Sequence, residues 1–117
     1  MLNTAWQVML VNKYHNTKVR VGDEVFDSKR EYNRWCELRL LERSGIICNL
    51  QRQVKFRLID SQKTPERTER PCDYIADFVY YENGKLVVED CKGMRTDVYK
   101  IKRKLMLKKY NISIKES

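Results

Sequence analysis

The dipeptide Asn83-Gly84 separates two apolar runs, Y74-I-A-D-F-V-Y-Y81 and K85-L-V-V-E-D-C-K92, and constrains the fold more than any other stretch of the chain. Asn-Gly supplies the two left-handed residues that a type I′ turn requires, so the runs are expected to form an antiparallel hairpin. With Glu82 facing Lys85, each step outward sets Val79 opposite Val88, Asp77 opposite Asp90 and Ile75 opposite Lys92, all on one face. Aspartates directly opposed in a sheet have Cβ atoms about 4.5–5.5 Å apart, and such like charges are destabilising unless something compensates them.

A divalent cation is the simplest compensation. Mg²⁺ takes one or two carboxylates and keeps several waters for substrate phosphates to displace, with Mn²⁺ as the expected substitute. Lys92 is then placed to orient or deprotonate a water, or to stabilise charge on the phosphate, both roles in metal-assisted phosphodiester hydrolysis. Two alternatives stand beside this reading. A three-residue loop with a glycine bulge sets Glu89 opposite Asp77 in place of Asp90, and an exposed salt-bridged strand uses Asp90 and Lys92 only to solubilise an edge.

The rest of the chain supplies partners for the hairpin. Lys18 to Phe26 alternates around Gly22-Asp23 and is expected to form a small N-terminal hairpin, preceded by an arm, residues 1–16, read as a short helix or irregular segment. Ser28 with Glu31 forms a capping box and Gly45 a left-handed C-terminal cap, which bound a first helix. Val54, Phe56 and Leu58 alternate with Gln53, Lys55 and Arg57 as a strand with one apolar and one cationic face. Residues 61–72 hold both prolines and read as a surface loop. A final helix follows Thr96, with Val98, Ile101 and Leu105 as its expected buried row, and I112-S-I114 is expected to close the sheet.

The chain has 117 residues, which fits a single domain over residues 1–117 with one modest core. Twenty-four Lys and Arg against sixteen Asp and Glu give a net charge of +8, which makes nucleic acid the first partner to consider. Arg95, Lys100, Lys102, Arg103 and Lys104 on the final helix, with Lys13 and His15 in the arm, are the candidate nucleic-acid contacts; a solvated helix face is the competing reading. The four cysteines are scattered and there is one histidine, so zinc-ligand spacing is absent. No basic leader precedes an apolar run and no stretch reaches membrane-spanning length, so a cytoplasmic protein with reduced thiols and no membrane partner is expected.

Asp77 followed by D90-C-K92 resembles the PD-(D/E)XK nuclease superfamily, with Asp77 at its first acidic position and Asp90 to Lys92 as the (D/E)-x-K element. The likeness extends through K13-Y-H-N, F26-D-S-K-R-E31, L50-Q-R-Q53, Y74-I-A-D77-F and V88-E-D-C-K-G-M-R-T-D-V-Y-K100, and across nearly the whole chain it is similar to a short phage-encoded family of unknown function. Ala76 stands where the superfamily name has proline. The resemblance implies an α/β (α+β), restriction-endonuclease-like core: a mixed sheet of about four strands flanked by two helices. It also implies a helix-borne glutamate near the metal, matched by Glu31, and a glutamine beside the site, matched by Gln53. For Glu31 the alternative is a carboxylate that reaches back to the Ser28 amide; for Gln53 it is a solvated strand residue.

What the resemblance implies is a Mg²⁺-dependent DNA endonuclease similar to phage Holliday-junction resolvases, acting on branched DNA in the host cytoplasm. Symmetric cutting of a junction favours a homodimer. The competing classes are a non-catalytic nucleic-acid-binding module on the same fold and a phage interaction protein that needs no metal.

Overall fold

The structure, a computed structural model, describes residues 6–11 and 17–117. A three-stranded antiparallel sheet comes first, with β1 (Trp6–Val11), β2 (Thr17–Val21) and β3 (Glu24–Phe26) in that order. The expected turn at Gly22-Asp23 joins β2 to β3, with Val21 opposite Glu24 and Gly22 at φ 61°. Residues 6–11, expected as a helix or irregular segment, are instead a strand whose backbone pairs with β2.

Helix α1 (Lys29–Arg43) begins where the capping residues place it: Ser28 Oγ accepts from the Glu31 amide at 3.2 Å, and Gly45 follows the last turn at φ 82°. The chain then enters β4 (Ile47–Ile59), passes through a two-stranded projection, β5 (Gln62–Lys63) with β6 (Thr68–Glu69), and returns as β7 (Cys72–Glu82) and β8 (Lys85–Asp90). The projection occupies what was expected to be a plain surface loop. Helix α2 (Asp97–Tyr110) and β9 (Lys115–Glu116) complete a four-stranded mixed sheet in the order β4-β7-β8-β9, with β9 parallel to β8. Residues 112–114, expected as the closing strand, precede β9, and Ile114 packs into the core instead.

The two helices cover opposite faces of this sheet. Leu38 of α1 packs with Ile47, Phe78, Tyr80 and Cys91; Tyr99 and Met106 of α2 pack with Leu58, Tyr74, Val79 and Val88. Each fully buried large apolar side chain contributes about 1.5–3 kcal/mol, so these two clusters hold the layers together. The α2 face differs from expectation: Tyr99 and Met106 are its buried residues, while Val98 and Ile101 are 61% and 58% exposed. The sheet seats the helix on its aromatic flank, where Tyr99 tilts against Tyr74 at 6.4 Å.

Asn83 and Gly84 adopt φ of 54° and 76°, the two left-handed residues of the expected turn, and the hairpin register runs from Glu82 opposite Lys85 to Phe78 opposite Glu89. The paired ladder ends there, one step short of Asp77 and Asp90. Beyond it the strands leave simple alternation. In β7, Tyr74 and Ala76 face α2 but Phe78 and Tyr80 face α1; in β4, Val54, Phe56 and Leu58 face α2 but Leu50 faces α1. Both strands therefore change face at one level, at Asp77 in β7 and at Gln53 in β4, which the flanking pairs Arg52–Phe78 and Val54–Ala76 set across from each other. Gln53 carries φ 54°, a conformation that costs a non-glycine residue about 1 kcal/mol and breaks the two-residue repeat. This change of face turns Ile75 to solvent, 51% exposed, rather than opposite Lys92.

Candidate functional site

Three carboxylates are brought to the level where the strands change face. Glu31 comes from the first turn of α1, Asp77 from the middle of β7 and Asp90 from the end of β8; their exposures are 2%, 4% and 0%. Asp77 Oδ2 accepts from the Cys91 amide at 2.8 Å, so its side chain takes the backbone donor just past the end of the ladder. Burial is the main force that pushes Asp77 up, to about 7, helped by the charges of Glu31 and Asp90 and opposed by the Cys91 amide and the Lys92 ammonium.

Asp90 Oδ1 accepts from the Tyr74 hydroxyl at 2.9 Å, while its Oδ2 is buried with no hydrogen-bond partner among the described residues. Burial raises this carboxyl as well, against the lowering effect of Lys92, the Tyr74 hydroxyl and Arg95. Lys92 lies just beyond β8, half-buried, where both aspartates feel its charge.

Glu31 does not reach back to the Ser28 amide as the capping alternative expected. Its amide is capped by Ser28, but its Oε1 accepts from the Asp27 amide at 3.1 Å rather than from that of Ser28. Its Oε2 takes the Gln53 side-chain amide at 3.1 Å and lies 3.4 Å from Arg52. Burial leads in raising its pKa. Gln53 is thus tied to the site by the same backbone irregularity that turns its strand over. Arg52 stacks over the Phe26 ring at 3.8 Å and reaches Glu24 and the Val25 carbonyl, which anchors the N-terminal sheet beside Glu31.

Glu89, the alternative to Asp90, points to the opposite face. Arg34 donates to it at 2.6 and 3.1 Å, Tyr80 at 2.6 Å and Ser117 at 2.7 Å. Burial raises its pKa, but these four donors outweigh it and hold the carboxyl below its ordinary value. Glu89 is a satisfied structural anion.

Among the described residues no three His, Cys, Asp or Glu groups converge closely enough to enclose a metal ion. The chemistry of the pair nevertheless fits a divalent cation: Asp90 has a buried oxygen without a donor, Asp77 is held high by burial, and Mg²⁺ needs only one or two protein carboxylates. Glu31, with partners on both oxygens, sits beside that pair.

The basic helix is altered from its sequence reading. Arg103 donates to Glu116 at 2.8 Å, and Arg95 Nε lies 3.2 Å from the other Glu116 oxygen without hydrogen-bond alignment. Lys100 and Lys104 are exposed with no ion-pair partner among the described residues, and Lys102 is half-buried. Lys13 and His15 lie outside the described residues. Sequence reasoning missed Tyr74, Arg52 and the Cys91 amide, each of which reaches the site through tertiary packing that leaves no local motif.

The model of a family described as a protein of unknown function, DUF1064, matches residues 11–116. Comparison with curated proteins and with solved structures returned no match.

Proposed function

The chain belongs to the DUF1064 family, and we propose from the site itself that it is a metal-dependent DNA endonuclease. The observation that carries this reading is the contrast between two kinds of buried carboxylate on one sheet. Glu89 is neutralised by an arginine; Asp77 and Asp90 are equally inaccessible, are raised by burial, and have no guanidinium bound to them. Stable folds do not keep such groups without compensation, and perturbed carboxylates of this kind mark functional sites.

Asp77 and Asp90 would hold the cation, with Glu31 beside them, and it would supply positive charge against that developing on the phosphate. The Cys91 amide and the Tyr74 hydroxyl fix the two aspartates, while Gln53 and Arg52 fix Glu31. Lys92, whose charge acts on both aspartates, would orient the attacking water or stabilise the phosphate. Branched DNA as the substrate, and a homodimer to cut it symmetrically, rest on the resemblance of D77 and D90-C-K92 to phage junction resolvases. No helix of the described residues is long and apolar enough to cross a membrane, which is compatible with work on DNA in a host cytoplasm.

The test is incubation with linear, forked and four-way DNA in Mg²⁺, Mn²⁺ or EDTA. Cutting in the metals alone, abolished in Asp77→Asn and Asp90→Asn while binding persists, is the expected result. Binding without cutting in any metal would instead make the chain a nucleic-acid-binding module.

A further inference from the structure

A cleft of about 440 Å³ opens on the α1 side of the sheet, lined by Arg30, Asn33, Arg34, Glu37, Cys91 and Ser117. Its volume is in the range of ligand-sized sites, roughly 300–1,000 Å³. It abuts the carboxylate site through Cys91, the residue between Asp90 and Lys92 whose amide holds Asp77. The charges on its wall are not equally available. Arg34 is committed to Glu89 behind it and to Glu37 beside it, at 2.6 and 2.9 Å. Arg30, next in sequence to Glu31, is exposed and has no hydrogen bond or ion pair with any described residue, although its charge reaches the Cys91 thiol. Asn33, one helical turn further along the same face, is likewise exposed with its amide unpaired.

We infer that this cleft is the subsite for the DNA strand next to the reacting phosphate, with Arg30 as a phosphate contact and Asn33 as a neutral donor beside it. The inference rests on the nuclease reading for the position of that reacting phosphate. A guanidinium held at the rim with no protein acceptor is suited to bidentate contact with a phosphate. The contrast with Arg95, just before α2, and Arg103 within it supports the assignment: both are turned to Glu116, whereas Arg30 has no carboxylate partner among the described residues. The cleft lies on the α1 side and Asp90 faces the α2 side, so a strand with one phosphate at Asp77, Asp90 and Lys92 would reach the cleft by passing the end of β8 at Cys91, whose amide binds Asp77.

The experiment measures binding of duplex and forked DNA in EDTA, over a range of salt, for the wild type, Arg30→Ala and Arg30→Lys. The expected loss for Arg30→Ala is about tenfold, with the slope of log affinity against log salt reduced by about 0.9, the share of one phosphate on duplex DNA. Arg30→Lys should keep that slope. Single methylphosphonate linkages placed in turn along the strand locate the contact: one linkage should weaken the wild type and leave Arg30→Ala indifferent, as coupled partners do. A wild type that binds DNA, with Arg30→Ala unchanged in affinity and slope, overturns the subsite but not the nuclease. A wild type that binds no DNA overturns both.

Discussion

Glu89 and Asp90 are consecutive in β8, both fully inaccessible, and their carboxyls are shifted in opposite directions. The two-residue repeat of the strand sends Glu89 to the α1 side, where Arg34, Tyr80 and Ser117 donate to it, and Asp90 to the α2 side, where Tyr74 is its only side-chain donor among the described residues. One residue of register thus separates a carboxylate that holds the fold together from one whose burial weighs on its stability.

Removal of Arg34 should show the structural half of this pair. Arg34→Met leaves Glu89 buried without its guanidinium and is expected to cost about 3–5 kcal/mol in urea unfolding, much of which Arg34→Met with Glu89→Leu should recover. Because the folded pKa of Glu89 is lowered, its contribution is complete above the unfolded value of 4.5 and is lost as pH falls through the folded one. The wild type should therefore lose this stability on acidification. A single variant that unfolds at the wild-type urea concentration would show that the ion pair is dispensable.

Asp77 has the opposite sign. Its folded pKa stands near 7 against 3.8 for the free side chain, so the folded protein retains a proton that the unfolded chain has released. The stability this gives is complete below about pH 4 and is lost as pH rises through 7. Asp77→Asn, which can still accept the Cys91 amide, should leave stability near pH 4 unchanged and raise it at pH 8 by on the order of 2–4 kcal/mol. Mg²⁺ should raise the Tm of the wild type at pH 8 but not that of the variant. A variant less stable than the wild type at pH 8 would show that Asp77 is an ordinary structural residue.

The hairpin register was legible because Asn83-Gly84 favours the two left-handed residues of a type I′ turn, and α1 was legible because Ser28, Glu31 and Gly45 mark its ends. The change of face at Gln53 was not: its local sequence, Q-R-Q-V, carries no glycine to announce a left-handed residue. The seating of α2 was misread for a related reason. Val98 and Ile101 have the apolar spacing of a buried row, but the sheet offers Tyr74, which selects Tyr99. Arg95 and Arg103 looked free because Glu116, which takes both, lies beyond the helix in a strand pairing that the local sequence does not reveal.

Gln53 combines a strained backbone with a site contact, and the two are separable by substitution. Gln53→Gly relieves a left-handed conformation that costs about 1 kcal/mol, and loses the hydrogen bond to Glu31. It should unfold within about 1 kcal/mol of the wild type, yet cleave DNA at least about tenfold more slowly, as misplacement of a site carboxylate predicts. Cleavage at the wild-type rate would leave Gln53 as a backbone feature alone.

Lys92 tests the chemistry most directly. Its ammonium cannot be a cation ligand, and it lies where Asp77 and Asp90 both feel its charge, so in the proposed reaction its work would be on the water or the phosphate and not on holding the metal. Lys92→Ala should bind Mg²⁺ and DNA close to wild-type affinity but slow single-turnover cleavage by about 10²-fold or more, the scale of lost acid–base or electrostatic assistance. Removal of a cation whose charge acts on two buried carboxylates also unbalances them, so the variant should lose stability at pH 8, with Mg²⁺ restoring it. Restored stability with slow cleavage would separate the ammonium's part in the reaction from its part in charge balance. If the Mg²⁺-loaded variant cuts forked and four-way DNA at the wild-type rate, Lys92 serves only to neutralise the aspartates, and the cleavage step must draw its assistance from another group.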